Sequence, residues 1–421
     1  MGLIHSPSIV SDGLVLALDA QNSRSYGGSG TTWTDISYRG NNGTLTNGPT
    51  FEPGGPFAGS TGGSVYFDGT GDYLTVINGS FLTFTGDFTV EAWIYSSFTG
   101  GPGVQGFVLI DTRTAYTQSN WTFGVFSSGG AVQFIFSGGV LSSSVNCVSS
   151  AWNHIALTRS GTTLKMFVNG VEGYSGTVSG TIATGSNANA TIGAGFDAAN
   201  YASPGYCSNL RVVNGTALYT SAFTRPTKPL TPVSGTSLLT CQGGAIVDNS
   251  NNKFSITRNG NVRAIQSASI KLDGTNDYVD SMNASSLTNM TIEMWIYDTR
   301  ATGDILSYNG NSGAYTFNGS TFRTDGNSLA GRVISGVGSP PQNKWYRFCY
   351  IKNGDLYINQ TKYSSGSGTD NPYGILSFGN TRSDINSLLN GYISNVKVYN
   401  RNLTEVEVQR NFNALRNRFG I

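Results

Sequence analysis

Apolar and polar residues alternate in short runs along this chain, and the runs return. In Phe88–Tyr95, FTVEAWIY, Phe88, Val90, Ala92 and Ile94 share one face, while Thr89, Glu91, Trp93 and Tyr95 share the other. A period of two is the signature of a β-strand lying on a core. Further strands are expected at GLVLALDA (Gly13–Ala20), WTFGVF, VQFIF, HIALTR, LKMFVNG and ATIGAG. The strand FTVEAWIY comes back as MTIEMWIY at Met290–Tyr297. VYFDGTGDYL (Val65–Leu74) returns as IKLDGTNDYV (Ile270–Val279), WNHIALTRSG (Trp152–Gly161) as WYRFCYIKNG (Trp345–Gly354), and YCSNLRVVN (Tyr206–Asn214) as YISNVKVYN (Tyr392–Asn400). Four blocks recur in one order at an offset of about two hundred residues, too long for a solenoid or a propeller blade. The pattern predicts an all-β chain of two tandem antiparallel β-sandwich domains.

The boundaries expected from this pattern are an N-terminal arm over 1–11, a first domain over 12–225, a linker over 226–236 and a second domain over 237–421. In the linker Pro226, Pro229 and Pro232 recur every third residue, which favours a stiff polyproline-II strut. Differences between the copies fall in turns: RSGTTLK shortens to KNGD (Lys352–Asp355), an Asn-Gly hairpin signal. The C-terminus changes period. Thr404 with Glu407 forms a capping box, and Val408, Phe412, Leu415 and Phe419 make one helical stripe. A short helix is expected over 404–419, capping the open end of the second domain.

Composition narrows the function classes. Charged residues are 12%, aromatics 12% and Gly 56 of 421, a profile of strands and tight turns. A net charge of +1 with no basic run lacks the footprint of a nucleic-acid binder. No apolar segment is long enough to insert in a membrane, and MGLIHSPSIV lacks the features of a signal peptide. Cys147, Cys207, Cys241 and Cys349 form no CxxC pair. Cys207 aligns with Ile393 and Cys349 with Ala156, so the thiols are expected to be free and buried, as in a protein assembled in a reducing cytosol.

GLVLALDA, TTWTD, GNNGTLTNGPTF, YFDGTGDYL, FTVEAWIY, WNHIALT and FVNG together resemble the laminin G-like branch of the concanavalin A-like jelly rolls, twice over. The chain is most similar to the versions found in virion structural proteins of tailed bacteriophages, on its opening MGLIHSPSIVSDGLVLALDA and its ending EVQRNFNALRNRFG. The resemblance implies a non-enzymatic, surface-exposed decoration or appendage of a virion, assembled in the host cytoplasm. Its partners would be other virion proteins, met through the N-terminal arm, and further copies of itself, a trimer being the expectation. A host-surface polysaccharide adhesin is the alternative reading, and a glycoside hydrolase the third.

Candidate chemistry divides along the same lines. Retaining hydrolysis needs two carboxyl groups about 5–5.5 Å apart. Glu91 is followed on its face by Trp93 and Tyr95, and Glu293 by Trp295 and Tyr297, so each strand offers one carboxylate, expected to accept hydrogen bonds within the sandwich. His5 and His154 are the only histidines, and no GxSxG occurs. Catalytic residues are therefore not expected. Laminin G-like domains often hold calcium with a loop aspartate, so Asp68 and Asp72, with Asp273 and Asp277, are candidate calcium ligands. The competing reading is that these acids bond their own turn amides. For carbohydrate, Trp33, Tyr38, Tyr116 and Trp121 stand in or near Gly/Ser/Thr-rich loops, and the second copy offers Tyr308, Tyr315 and Tyr373; Trp121 also opens an alternating strand, which suits a core position equally. Trp93, Trp152, Trp295 and Trp345 are expected in the core or beneath loops.

Overall fold

The computed structural model describes residues 8–57, 63–77, 79–98, 106–115, 120–184, 189–197, 201–243, 245–300, 303–308, 313–318, 321–324, 332–364, 366–367, 374–379 and 388–421. Among them the chain is almost wholly β, in two compact units. The first comprises Gly55–Gln266; the second joins the residues up to Gly54 to Ser267–Ile421.

In the first unit, an eight-stranded sheet runs Val171–Thr177, Thr163–Val168, Ala151–Ser160, Phe88–Ser96, Pro204–Asn214, Ser64–Asp68, Arg263–Ile265, and Thr236–Thr240 also pairs with Pro204–Asn214. A seven-stranded sheet is built from Gly139–Asn146, Ala131–Phe136, Thr122–Val125, Phe107–Asp111, Asn189–Ile192, Tyr73–Ile77 and Ile256–Asn259. Val90, Ala92, Ile94, Leu157 and Val212 from one sheet and Phe123, Val125 and Phe134 from the other belong to one buried core. The alternation read from FTVEAWIY therefore places its apolar face correctly.

The second unit repeats the plan. Its eight-stranded sheet orders Thr361–Tyr363, Leu356–Ile358, Trp345–Ile351, Thr291–Asp298, Asn390–Tyr399, Ser269–Asp273 and Thr50–Glu52, with Leu14–Asp19 also paired to Asn390–Tyr399. The opposing nine-stranded sheet begins Thr32–Trp33, Gly43–Thr46, Tyr278–Asn283, Ile375–Phe378. Ile292, Met294, Ile296, Phe348, Val396 and Phe378 lie in the core. Equivalent glycines mark equivalent close approaches. A Cβ on Gly205 would sit 2.4 Å from the Tyr95 carbonyl oxygen, and one on Gly391 would sit 2.0 Å from that of Tyr297.

Unit boundaries differ from those read off the repeat. GLVLALDA, expected to open the first domain, pairs with Asn390–Tyr399 of the second, Leu18 facing Val396. SLLTCQ, expected to open the second, pairs with Pro204–Asn214 of the first, Leu239 facing Arg211. Gly43–Thr46 and Ile256–Asn259 are divided the same way. Each sandwich is thus finished by the opening strands that follow its body, and the chain's first strands finish the last body. The Pro-rich stretch is not a strut between domains. Leu230 is buried, its amide donates to Asn209 Oδ1 at 2.8 Å, and the Thr231 carbonyl accepts from Arg211 at 2.8 Å. It lies on the first sandwich because the next strand must return to that sandwich.

The C-terminal helix spans Glu405–Leu415 and continues as a 3-10 turn, Arg416–Phe419. Thr404 is the N-cap, and both halves of the capping box with Glu407 are made. Glu407 also pairs with Arg401, whose guanidinium, with the Thr404 amide, holds its carboxyl down to about 2. The helix packs on its own sandwich through Phe412 and Phe419, as expected, but over the outer face of Thr291–Asp298 and not at an open end. Of the arm, Ser8 and Val10 bond Arg410 and Asn411 of this helix, while residues 1–7 lie outside the described residues. All four cysteines are buried free thiols; burial pushes the Cys147 thiol up to about 12.

Candidate functional site

The face of FTVEAWIY turned away from the core is not solvated. Glu91 and His154 are fully buried, and Trp93 nearly so. Glu91 stands between Ala156 and Arg211 on the two neighbouring strands. Arg211 Nε donates to its Oε1 at 2.9 Å, Tyr219 Oη donates to Oε2 at 2.8 Å, and His154 Nε2 lies 3.0 Å from Oε2. Burial pushes the Glu91 carboxyl up, but the His154 hydrogen bond and the charges of His154 and Arg211 outweigh it and hold the group below its ordinary value. Burial, and then the charge of Glu91, push the Tyr219 phenol the other way. The cover is the segment after the last repeat block: Tyr219 and Phe223 stack with centroids 3.6 Å apart, and the Arg225 guanidinium lies over the Trp93 ring.

The second sandwich builds the same cluster from other residues. Glu293 Oε2 accepts from Asn411 Nδ2 at 2.8 Å, and Arg347 approaches Oε1 at 3.4 Å. Arg347 also donates to the Val408 and Asn359 carbonyls, each at 2.6 Å. Trp295 stacks on Phe419 at 4.1 Å. Arg347 occupies the position of His154, and Lys397 that of Arg211. Burial pulls the Lys397 ammonium below its ordinary value, opposed by the charges of Glu293 and Asp19. The local frame is shared: Asn169 Oδ1 accepts from the His154 amide at 3.0 Å, and Asn359 Oδ1 from that of Arg347 at 2.9 Å.

The turn aspartates behave as turn chemistry. Asp72 Oδ2 accepts from the Asp68 amide at 3.0 Å, and Asp68 Oδ1 from that of Thr70 at 2.7 Å. Asp277 and Asp273 repeat both bonds, at 3.1 and 2.7 Å. With its amide nitrogen facing the acids, Asn261 donates to both oxygens of Asp72 and to Asp68 Oδ2, at 2.6–3.0 Å. An NH2 group therefore lies where a cation bridging Asp68 and Asp72 would sit, so that donor set does not fit calcium. The Asp273–Asp277 pair brings two carboxylates toward the roughly six to eight oxygens calcium takes. Among the described residues no group of three or more His, Cys, Asp or Glu is placed to hold a metal.

The aromatic candidates for carbohydrate do not form one site. Trp33 is fully buried in the core of the second sandwich, and Trp121 in that of the first, its indole N–H donating to the Leu82 carbonyl at 3.0 Å. Both are corrections: each lies in or beside a strand, and the Gly/Ser-rich flanks that suggested loops are strand-end turns. Tyr315 is likewise core. Tyr38 is 88% exposed on the loop ordered by Asp35, which accepts from the Ser37 and Asn41 amides. Tyr116 and Tyr373 lie outside the described residues, as does the side chain of Tyr308. Trp93 and Trp295 are buried as expected, and Trp152 and Trp345 are half-buried. Tyr219, Arg211 and Asn411, missed from the sequence, carry the clusters.

The family described as the concanavalin A-like lectin/glucanases superfamily matches residues 68–219 and again 273–409. The chain belongs to this superfamily. Its concanavalin A-like sandwiches are similar in fold to several solved structures. One is a Bacteroides ovatus protein described as carbohydrate binding (18% identity over 49% of this chain and 60% of that one, TM-score 0.38). Another is the LG4-5 pair of mouse laminin alpha1 (12% identity over 84% of this chain and 93% of that one, TM-score 0.31). A third is domain 4 of the Geobacillus stearothermophilus arabinanase AbnA, solved with arabinotriose (16% identity, 48% and 93%, TM-score 0.28). The chain thus spans 60% of the length of the Bacteroides protein. No curated protein matches it.

Proposed function

We propose that the chain is a non-enzymatic structural module of a tailed-phage particle, each sandwich a rigid part of a surface decoration or appendage. The observation that carries the non-enzymatic part is the sealing of Glu91. Its contacts are a guanidinium, an imidazole and a phenol, and it is held below its ordinary value and so ionised, the wrong state for a general acid. The virion context is supported by the resemblance of both termini to phage structural proteins. Antibody raised against the chain is expected to label purified particles in electron micrographs, and unlabelled particles would remove the virion reading. Incubation with host polysaccharide is expected to release no reducing sugar.

A second reading, attachment to host-surface polysaccharide, is favoured by the lectin character of the superfamily. It is compatible with the first, since an exposed decoration is well placed to bind.

A further inference from the structure

Outside the Glu91 cluster, the first sandwich carries a pocket of about 230 Å³ lined by Thr158, Ser160, Thr163, Lys165, Tyr219 and Thr220. That is below the roughly 300–1,000 Å³ of sites for drug-sized ligands, so it suits one small ring. Its floor is a strand pair in which Thr158 faces Lys165 and Ser160 faces Thr163, with side chains pointing away from the core. Its wall is Tyr219, fixed at two points: the phenol donates to Glu91, and the backbone carbonyl accepts from Thr158 Oγ1 at 2.8 Å. Phe223 stacks on that ring and braces it, and Tyr219 is itself part of the pocket lining. Lys165 pairs with Glu172 at 2.7 Å, so the site presents an ammonium with protons to spare beside a carboxylate acceptor, and no uncompensated charge.

A preorganised aromatic face next to hydroxyls and a neutralised ion pair matches the chemistry of a sugar ring, apolar on its C–H face and rimmed with hydroxyls that both donate and accept. We propose that this pocket is a subsite for one neutral pyranose unit of a polysaccharide, with Tyr219 as the stacking platform; the inference rests on the polysaccharide-binding reading above. The second sandwich does not repeat the site. Ile351 stands where Thr158 does and Asp355 where Lys165 does, and the C-terminal helix replaces the Tyr219 segment.

The test uses the full chain on an array of hexasaccharides of glucose, galactose and mannose with uronate hexasaccharides beside them, followed by calorimetry on the tightest neutral one. Thr163→Trp fills the pocket from an exposed position without touching Glu91 and is expected to abolish binding. Lys165→Ala is expected to weaken it about tenfold, or 1.4 kcal/mol. Asp355→Ala in the second sandwich is expected to leave it unchanged. Hexasaccharide binding that survives both Thr163→Trp and Lys165→Ala overturns the subsite while leaving polysaccharide binding in place. Preference for the uronates overturns the neutral assignment, and capture of no hexasaccharide by the parent chain overturns the subsite and the reading beneath it.

Discussion

The outer faces of Phe88–Ser96 and Thr291–Asp298 carry the same glutamate and the same tryptophan, yet their surroundings are composed differently. Around Glu91 the strand neighbours supply His154 and Arg211; around Glu293 they supply Arg347 and Lys397. The guanidinium has changed strands. What covers the face has changed as well: an irregular segment with stacked Tyr219 and Phe223 in one sandwich, a capped helix with Asn411, Phe412 and Phe419 in the other. A buried carboxylate must be met by a cation and by hydrogen-bond donors, but the strand that provides them is free to vary. The inner face varies in size, Ala92 answering to Met294 and Leu157 to Tyr350, but every one of these positions stays apolar and buried.

The largest expected effect concerns which segments belong to which sandwich. A fragment of residues 55–266 should unfold in one cooperative thermal transition, whereas 12–225 should not, because it lacks the strands at Thr236–Thr240, Ile256–Asn259 and Arg263–Ile265. Cooperative unfolding of the 12–225 fragment alone would break the assignment.

Next come the clusters themselves. Glu91→Gln leaves the Arg211 guanidinium buried without its countercharge and should cost about 3–5 kcal/mol in urea unfolding. Glu293→Gln should cost less, since Arg347 keeps its bonds to the Val408 and Asn359 carbonyls; equal losses would undo the contrast. The pH dependence has a definite sign. Because the folded Glu91 carboxyl lies below its ordinary 4.5, its contribution is complete above that value and is lost as pH falls through the folded value. Stability of Glu91→Gln should therefore fall less steeply in acid than that of the parent.

The covers differ in the same sense. Phe419 is buried on Trp295, so Phe419→Ala should cost about 3 kcal/mol and shift tryptophan emission to the red. Phe223→Ala, at a half-buried site, should cost about 1 kcal/mol. The smallest effect expected is that of Thr404→Ala, which opens an exposed capping box and should cost about 0.5 kcal/mol in the same measurement.

Period-two alternation was enough to place Val90, Ala92 and Ile94, and the repeat alone equated Trp93 with Trp295 and His154 with Arg347. Thr404 and Glu407 announced the helix because capping is local chemistry. Strand partnership is not local. Nothing in SLLTCQ or GLVLALDA says which final strand each will meet, so the boundaries came out one segment away. Trp33 and Trp121 were misread because glycine and serine beside them mark tight turns at strand ends as readily as open loops. That Glu91 would accept hydrogen bonds within the sandwich was legible, but its partners were not: Tyr219 lies in a stretch without periodicity, and only the folded chain brings it over the sheet.

That the opening strands complete the closing sandwich has a consequence during synthesis. Leu14–Asp19 leaves the ribosome about 370 residues before its partner Asn390–Tyr399. At about 5–20 residues per second, an apolar segment waits on the order of twenty to eighty seconds with no mate, while the intervening body has already collapsed beside it. The unmated strands are open to misassembly for that interval, and slowing translation should lower the yield of the second sandwich before it touches the first.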